Sequence, residues 1–262
     1  AIPICGPRYV SRPVTVTVRG TIGGMARRAN PAFAAGVVVV PLAALAYALP
    51  PAPVVHHLYV HVMAGGMWPG PALFQALVLG PVIGGLAVDE RANVFQRFTP
   101  KMTFLMPVLA LVTIVGGITL ALRLGYFPNA DPWLALLNVA IVVPALLLIG
   151  HQFRAFGDRR WQAVFGVATA GSVAYLATTL PAFAMTTPVV AVSLAIIVVL
   201  SVLGFGVLLP GEVLMYREMT SPEPDTERIG AIGLRNAKLA GVQGLFQLSI
   251  IVVMVYMRWG GF

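Results

Sequence analysis

This sequence predicts an all-α polytopic membrane protein of about seven transmembrane helices with a cytoplasmic amino terminus. Three observations carry that prediction. Hydrophobic residues make up 58% of the chain and charged residues 10%, whereas a soluble domain needs roughly a quarter of its residues charged to cover its surface. The apolar residues fall in unbroken runs of about 18 or more, the length that crosses bilayer hydrocarbon. The basic residues stand between those runs, almost all on one side.

The runs give seven spans, at 33–49, 54–86, 102–122, 133–151, 163–181, 189–215 and 239–257. The second and sixth are longer than a bilayer requires and are expected to tilt, kink or project into water. Direction comes from the arginines and lysines of the connections. Fifteen of the 17 lie on one side: Arg8, Arg12, Arg19, Arg27 and Arg28, then Arg91, Arg97 and Lys101, then Arg154, Arg159 and Arg160, then Arg217, Arg228, Arg235 and Lys238. Only Arg123 and Arg258 fall opposite. Missing or adding one helix would put the later clusters on the wrong side, so the odd count and the inside amino terminus support each other. Multi-pass insertion in the cell (plasma) membrane follows, with the lipid bilayer as the main partner.

Residues 1–32 read as a cytoplasmic arm and 33–262 as the seven-helix domain. Within the arm, PVTVTVRGT alternates like a short strand. The two cytoplasmic connections DERANVFQRFTPKM and TSPEPDTERIGAIGLRNAK read as charged loops, the latter approaching the last helix at RIGAIGLRNAK. Trp133, Trp161 and Trp259 stand at span ends, where an indole suits the headgroup layer as well as a packed interior.

Several functions are excluded or disfavoured. The net charge of +8 is spread over loops rather than gathered on a face or stripe, so no nucleic-acid partner is expected. A single cysteine, Cys5, rules out an intrachain disulfide and a multi-cysteine cluster. Neither GxxxxGK[ST] nor HExxH occurs, which removes a Walker-type pump and that class of zinc protease. No enzymatic reaction is indicated.

The densest chemical grouping is HHLYVHVMAGGMWPG, residues 56 to 70, at the outer end of the second span. His57 and His61 are one helical turn apart on one face, so both imidazoles can address one ion, or one can ligate while the other tunes it. His61 lies deeper, where an ionisable group in a span calls for a partner or a role. Each also has a structural reading, His56 and His57 as headgroup-layer residues and His61 as a packed, hydrogen-bonded imidazole. Met63 and Met67 follow on the same helix, with Met185, Met254 and Met257 on the same side of the membrane. Imidazole with thioether suits copper, Cu(I) above all, and His57, His61 and Met63 form the candidate metal set. In AGGMWPGPA, small residues permit close approach of a helix or flat cofactor, and Pro69 and Pro71 predict a kink.

A b-type haem is the alternative cofactor. It needs axial ligands at matching depth, and the remaining histidine, His151, belongs near the cytoplasmic edge, about 20 Å from the level of His61. A bis-histidine haem joining those two is therefore disfavoured. A haem held by His61 with methionine, or by one histidine, stays open. Glu212, near the inner end of the sixth span, reads as a snorkelling residue, one paired with a basic neighbour, or a proton-handling group. Gln75, Asn138, Gln243 and Gln247 read as interhelical hydrogen-bond glue.

Three stretches, HVMAGGMWPGPALFQALVLGP, DERANVFQRFTPKM and a helix ending GGITLALRLGYF, together resemble the CopD-like proteins and related integral membrane families. The closing NAKLAGVQGLFQLSIIVVMVYMRWG adds to it. That resemblance implies copper uptake or handling, or haem binding as in related histidine-containing membrane proteins. Its H-x(6)-W-x-G arrangement falls on His61, Trp68 and Gly70, the candidate cofactor-binding residues; Pro69 inside the pattern and the scarcity of methionine clusters depart from it. The expected partners are other membrane subunits or a periplasmic or extracellular metal or electron carrier, and a non-catalytic subunit of a membrane assembly is the remaining reading.

Overall fold

A computed structural model describes residues 18–260. Seven helices long and apolar enough to cross a membrane run through Pro31–Ala48 (α2), Val54–Gly84 (α3), Val88–Arg123 (α4), Ala130–Gln152 (α5), Arg159–Ala182 (α6), Pro188–Met219 (α7) and Thr226–Trp259 (α8), preceded by a short helix at Val18–Ala29 (α1). All seven expected spans are present, with no strand among the described residues. In hydrocarbon every backbone polar group must be satisfied within the chain, which leaves the helix as the form for such segments.

The first loop expected on the basic side is corrected to helix, whereas in the second residues 220–225 stay a loop and RIGAIGLRNAK is helical, as its approach to the last helix suggested. DERANVFQRFTPKM forms the first turns of α4. Glu90 Oε2 accepts the Ala87 N–H at 3.2 Å, Asp89 and Glu90 place negative charge at the amino end, and Ala92, Phe95 and Thr99 form a buried stripe at helical spacing. In the last connection, Asp225 Oδ1 accepts the Arg228 N–H at 2.9 Å and starts α8 at Thr226. Charge made DERANVFQRFTPKM look like a loop, but it lies on the outward face of a helix that runs on into the apolar span.

The strand expected in PVTVTVRGT is corrected for its last four residues, 18–21, which open α1; residues 13–17 lie outside those described. Helix α1 packs on α4 and α2. Thr21, Met25 and Ala29 are buried, Gly24 meets the Tyr216 hydroxyl, and Arg28 stands over the Tyr216 ring at 5.8 Å.

Helix α4 lies at the centre, touching α1, α2, α3, α7 and α8. Helix α8 packs on α3, α4 and α7 through small residues. A Cβ on Gly233 would overlap the Phe95 ring, and one on Gly241 or Gly244 would come within 2.7 Å of Ala76 or Leu73. No helix among the described residues fills the small-residue stretch at Gly65, Gly66 and Gly70: a Cβ on Gly66 or Gly70 would meet nothing within 4 Å, and one on Gly65 would stand 3.4 Å from Thr113. Helix α6 packs mainly on α5 and presents most of its surface outward, tied by the Ser172 hydroxyl donating to Asn138 Oδ1 at 2.6 Å.

Candidate functional site: a histidine seam and a buried polar cavity

Helix α3 begins after Pro53, and its first three turns carry His57 and His61 against α4. His57 is fully buried. Its Nε2 lies 2.9 Å from the Gly116 carbonyl oxygen, which can only accept, so Nε2 carries the proton. The Thr119 hydroxyl donates to Val115 O and accepts a second branch of the same N–H at 3.2 Å. With Nε2 protonated, Nδ1 of the neutral ring is a bare lone pair; it is shielded and has no hydrogen-bond partner. One turn deeper, His61 Nδ1–H donates to Thr113 O at 3.0 Å, leaving Nε2 as the free nitrogen. Gly116 and Gly117 make room for this ring: a Cβ on Gly117 would stand 2.7 Å from His61 Cε1.

The two imidazoles thus share one seam, as their one-turn spacing requires. Met63, about 200° further round the helix from His61, is 45% exposed, so it does not join them. Met67 and Met185 also face outward. His56 stacks on Tyr47 at 5.6 Å and its Nδ1 pairs with the tyrosine hydroxyl. His151 is exposed in the last turn of α5. Trp68 is buried against Leu109, Ala110 and Leu200, whereas Gly70 faces outward, so the His61, Trp68, Gly70 pattern does not converge on one volume. Among the described residues, no cluster of three or more His, Cys, Asp or Glu side chains gathers.

Trp133 is packed between α5 and α7 and donates to Ala184 O at 2.9 Å, a structural role, while Trp259 is exposed at the end of α8.

No family model matches this chain. No curated protein and no solved structure matches it either. The site is therefore read from its own geometry.

Below the histidines lies a second feature. A cavity of about 50 Å³ opens between α3, α4, α7 and α8, with Trp68 among its lining and Glu212, Asn236, Gln75 and Gln243 around it. Both π-helical turns of the described residues border it: Gln75–Leu79 in α3 and Gly204–Leu208 in α7. Such turns interrupt the regular ladder and are enriched at functional sites. In α7 the loosened carbonyls are capped from neighbouring helices. Gly206 O, whose i+4 residue is Pro210 with no N–H to give, accepts Gln152 Nε2–H at 2.8 Å, and Leu208 O accepts Asn236 Nδ2–H at 3.2 Å.

Asn236 also donates to Glu212 Oε1 at 3.3 Å. Glu212 Oε2 is shielded and without a partner, as are Gln243 Oε1, both amide atoms of Gln247 and the Trp68 Nε1–H. Of the alternatives for Glu212, pairing with a basic neighbour does not occur among the described residues, where the single ion pair joins Arg228 and Glu218. Of the four residues expected as glue, Asn138 is hydrogen-bonded across helices; Gln243 and Gln247 are buried with unmet polar atoms instead. Sequence flagged each of these residues singly. Their meeting depends on the register of four helices, which hydropathy does not encode.

Proposed function

We propose that this chain is a CopD-like integral membrane protein that binds a metal ion, copper by preference, near the outer membrane face and serves in metal uptake or handling. The observation that carries the reading is that His57 and His61 each donate one ring N–H to a backbone carbonyl of α4, at 2.9 and 3.0 Å. Metal-ligating histidines are held in that way, because the bond to the second nitrogen fixes the tautomer and raises the basicity of the first. The unpartnered Nδ1 of His57 is a lone pair with no other employment, and a neutral imidazole suits copper. Trp68 and Gly70 are not needed for this binding, and the outward-facing Met63 contributes only to an ion that arrives along the helix surface.

Metal analysis and a visible spectrum on one sample of purified protein test the reading. Bound copper in the wild type that is lost in His61→Ala and reduced in His57→Ala supports it. Metal content unchanged by His61→Ala overturns it. A Soret band would replace it with a b-type haem subunit, and neither metal nor haem together with stable co-purifying chains would replace it with a structural subunit of a membrane assembly.

A further inference from the structure

The cavity around Glu212 is independent of the histidine seam. Trp68, the lining residue of α3 nearest the histidines, is about 10 Å along the helix from His61, and Gln75 follows about 10 Å further on. Its volume of about 50 Å³ exceeds several times the roughly 10–15 Å³ needed for one water. It therefore holds a few waters, or one small ion with part of its hydration shell, and nothing the size of an organic substrate.

Its chemistry is asymmetric. The unmet acceptors are Glu212 Oε2 and Gln243 Oε1, with Gln243 itself only 3% exposed. Gln75 and Thr103 are further polar residues of the lining, the Thr103 hydroxyl donating to Thr99 O at 2.9 Å. The Trp68 Nε1–H is the unmet donor, suited to the oxygen of a co-bound water. Carboxylate, amide carbonyl, hydroxyl and water are the ligands of hard cations. An ionisable group inside a membrane protein without a paired charge marks an ion path or site more often than a packing position. The nearest cation in the network, Arg235, donates to Gln152 Oε1 and Asn236 Oδ1, both at 3.2 Å, and makes no ion pair with Glu212.

We infer that this cavity binds one monovalent alkali cation of the sodium class, with Glu212 as its counter-charge, the Gln243 carbonyl oxygen as a ligand and trapped water completing the shell. A single carboxylate neutralises a single positive charge. A divalent ion would leave a net charge buried beside Arg235, which hydrocarbon disfavours. The two π turns give the backbone slack around the ion, and Asn236 fixes the carboxylate by holding Oε1, with the Thr99 hydroxyl also beside Glu212 and Oε2 turned to the ion.

Equilibrium binding of radioactive sodium to the detergent-purified full chain, at constant ionic strength balanced with choline chloride, tests this. The expected result is saturable binding of about one ion per chain, displaced by unlabelled sodium and not by choline. Glu212→Gln, which preserves shape, is expected to weaken it by about tenfold or more, the scale of one lost charge-assisted ligand. Gln243→Leu is expected to weaken it by several-fold, and provides the reading should Glu212→Gln fail to yield monodisperse protein. His61→Ala is expected to leave sodium binding intact, which separates this site from the copper proposal. Absence of saturable sodium binding in the wild type overturns the inference, as does equal affinity in Gln243→Leu and Glu212→Gln. A wild type whose stability follows pH but not sodium overturns it in favour of a protonated carboxyl.

Discussion

Replacing Gly117 by alanine places one methyl group against the partly buried His61 ring. The new Cβ would stand 2.7 Å from His61 Cε1, 3.3 Å from Nδ1 and 3.5 Å from Nε2. Ordinary carbon contact begins near 3.5 Å, so the imidazole must move by about 1 Å. That motion acts on the Nδ1–H bond to Thr113 O, now 3.0 Å. Overpacking of this kind costs about 1–3 kcal/mol, and a weakened hydrogen bond adds about 0.5–1.5 kcal/mol. The intrinsic gain of alanine over glycine in a helix offsets up to about 1 kcal/mol, leaving a net loss of about 0.5–4.5 kcal/mol. Reversible unfolding in mixed micelles measures it, with Gly66→Ala as the reference, since a Cβ there meets nothing within 4 Å and is expected to be neutral or stabilising. In a His61→Ala background the Gly117→Ala penalty should vanish. Equal effects of the two glycine substitutions, or an undiminished penalty without His61, would refute the placement of His61 in the α4 cradle.

Other substitutions probe separate joints of the bundle. Gln152→Leu removes the donor to Gly206 O, and Pro210 cannot replace it, so a loss of about 1–3 kcal/mol in the same unfolding assay is expected. Gly233→Ala drives a methyl into the Phe95 ring and should cost about 1–3 kcal/mol, visible as a lowered melting temperature. Ser172→Ala breaks the hydrogen bond to Asn138, worth about 0.5–1.5 kcal/mol in a membrane. Because α6 packs mainly on α5, hydrogen exchange should rise in α6 and not in α4.

The seven spans were legible because hydrocarbon imposes a length and a composition on each segment separately. The start of α4 was not, since the charges of Asp89 and Glu90 sit in its first turn, where they complement the dipole instead of breaking the helix, whereas α8 starts at Thr226, close to the approach read at Arg228. The pairing of His57 with His61 was legible from a one-turn spacing. That both would donate to carbonyls of α4 was not, because it depends on Gly116 and Gly117 lying opposite them. The exclusion of Met63 from that seam follows from its position about 200° round the helix from His61.

By itself, the sequence determined that this protein has seven helices able to cross a membrane, that its basic residues gather almost all at one end of them, and that His61 and His151, at opposite ends, cannot share one ion. These are properties of single segments against a slab of lipid, set by transfer free energy and rise per residue. The tertiary structure alone decided that Glu212, Gln75, Gln243 and Trp68, spread over about 175 residues of chain, surround one cavity. Helix packing through small residues and π turns sets that register. Such packing depends on shape complementarity between helices, a property that no single stretch of sequence carries.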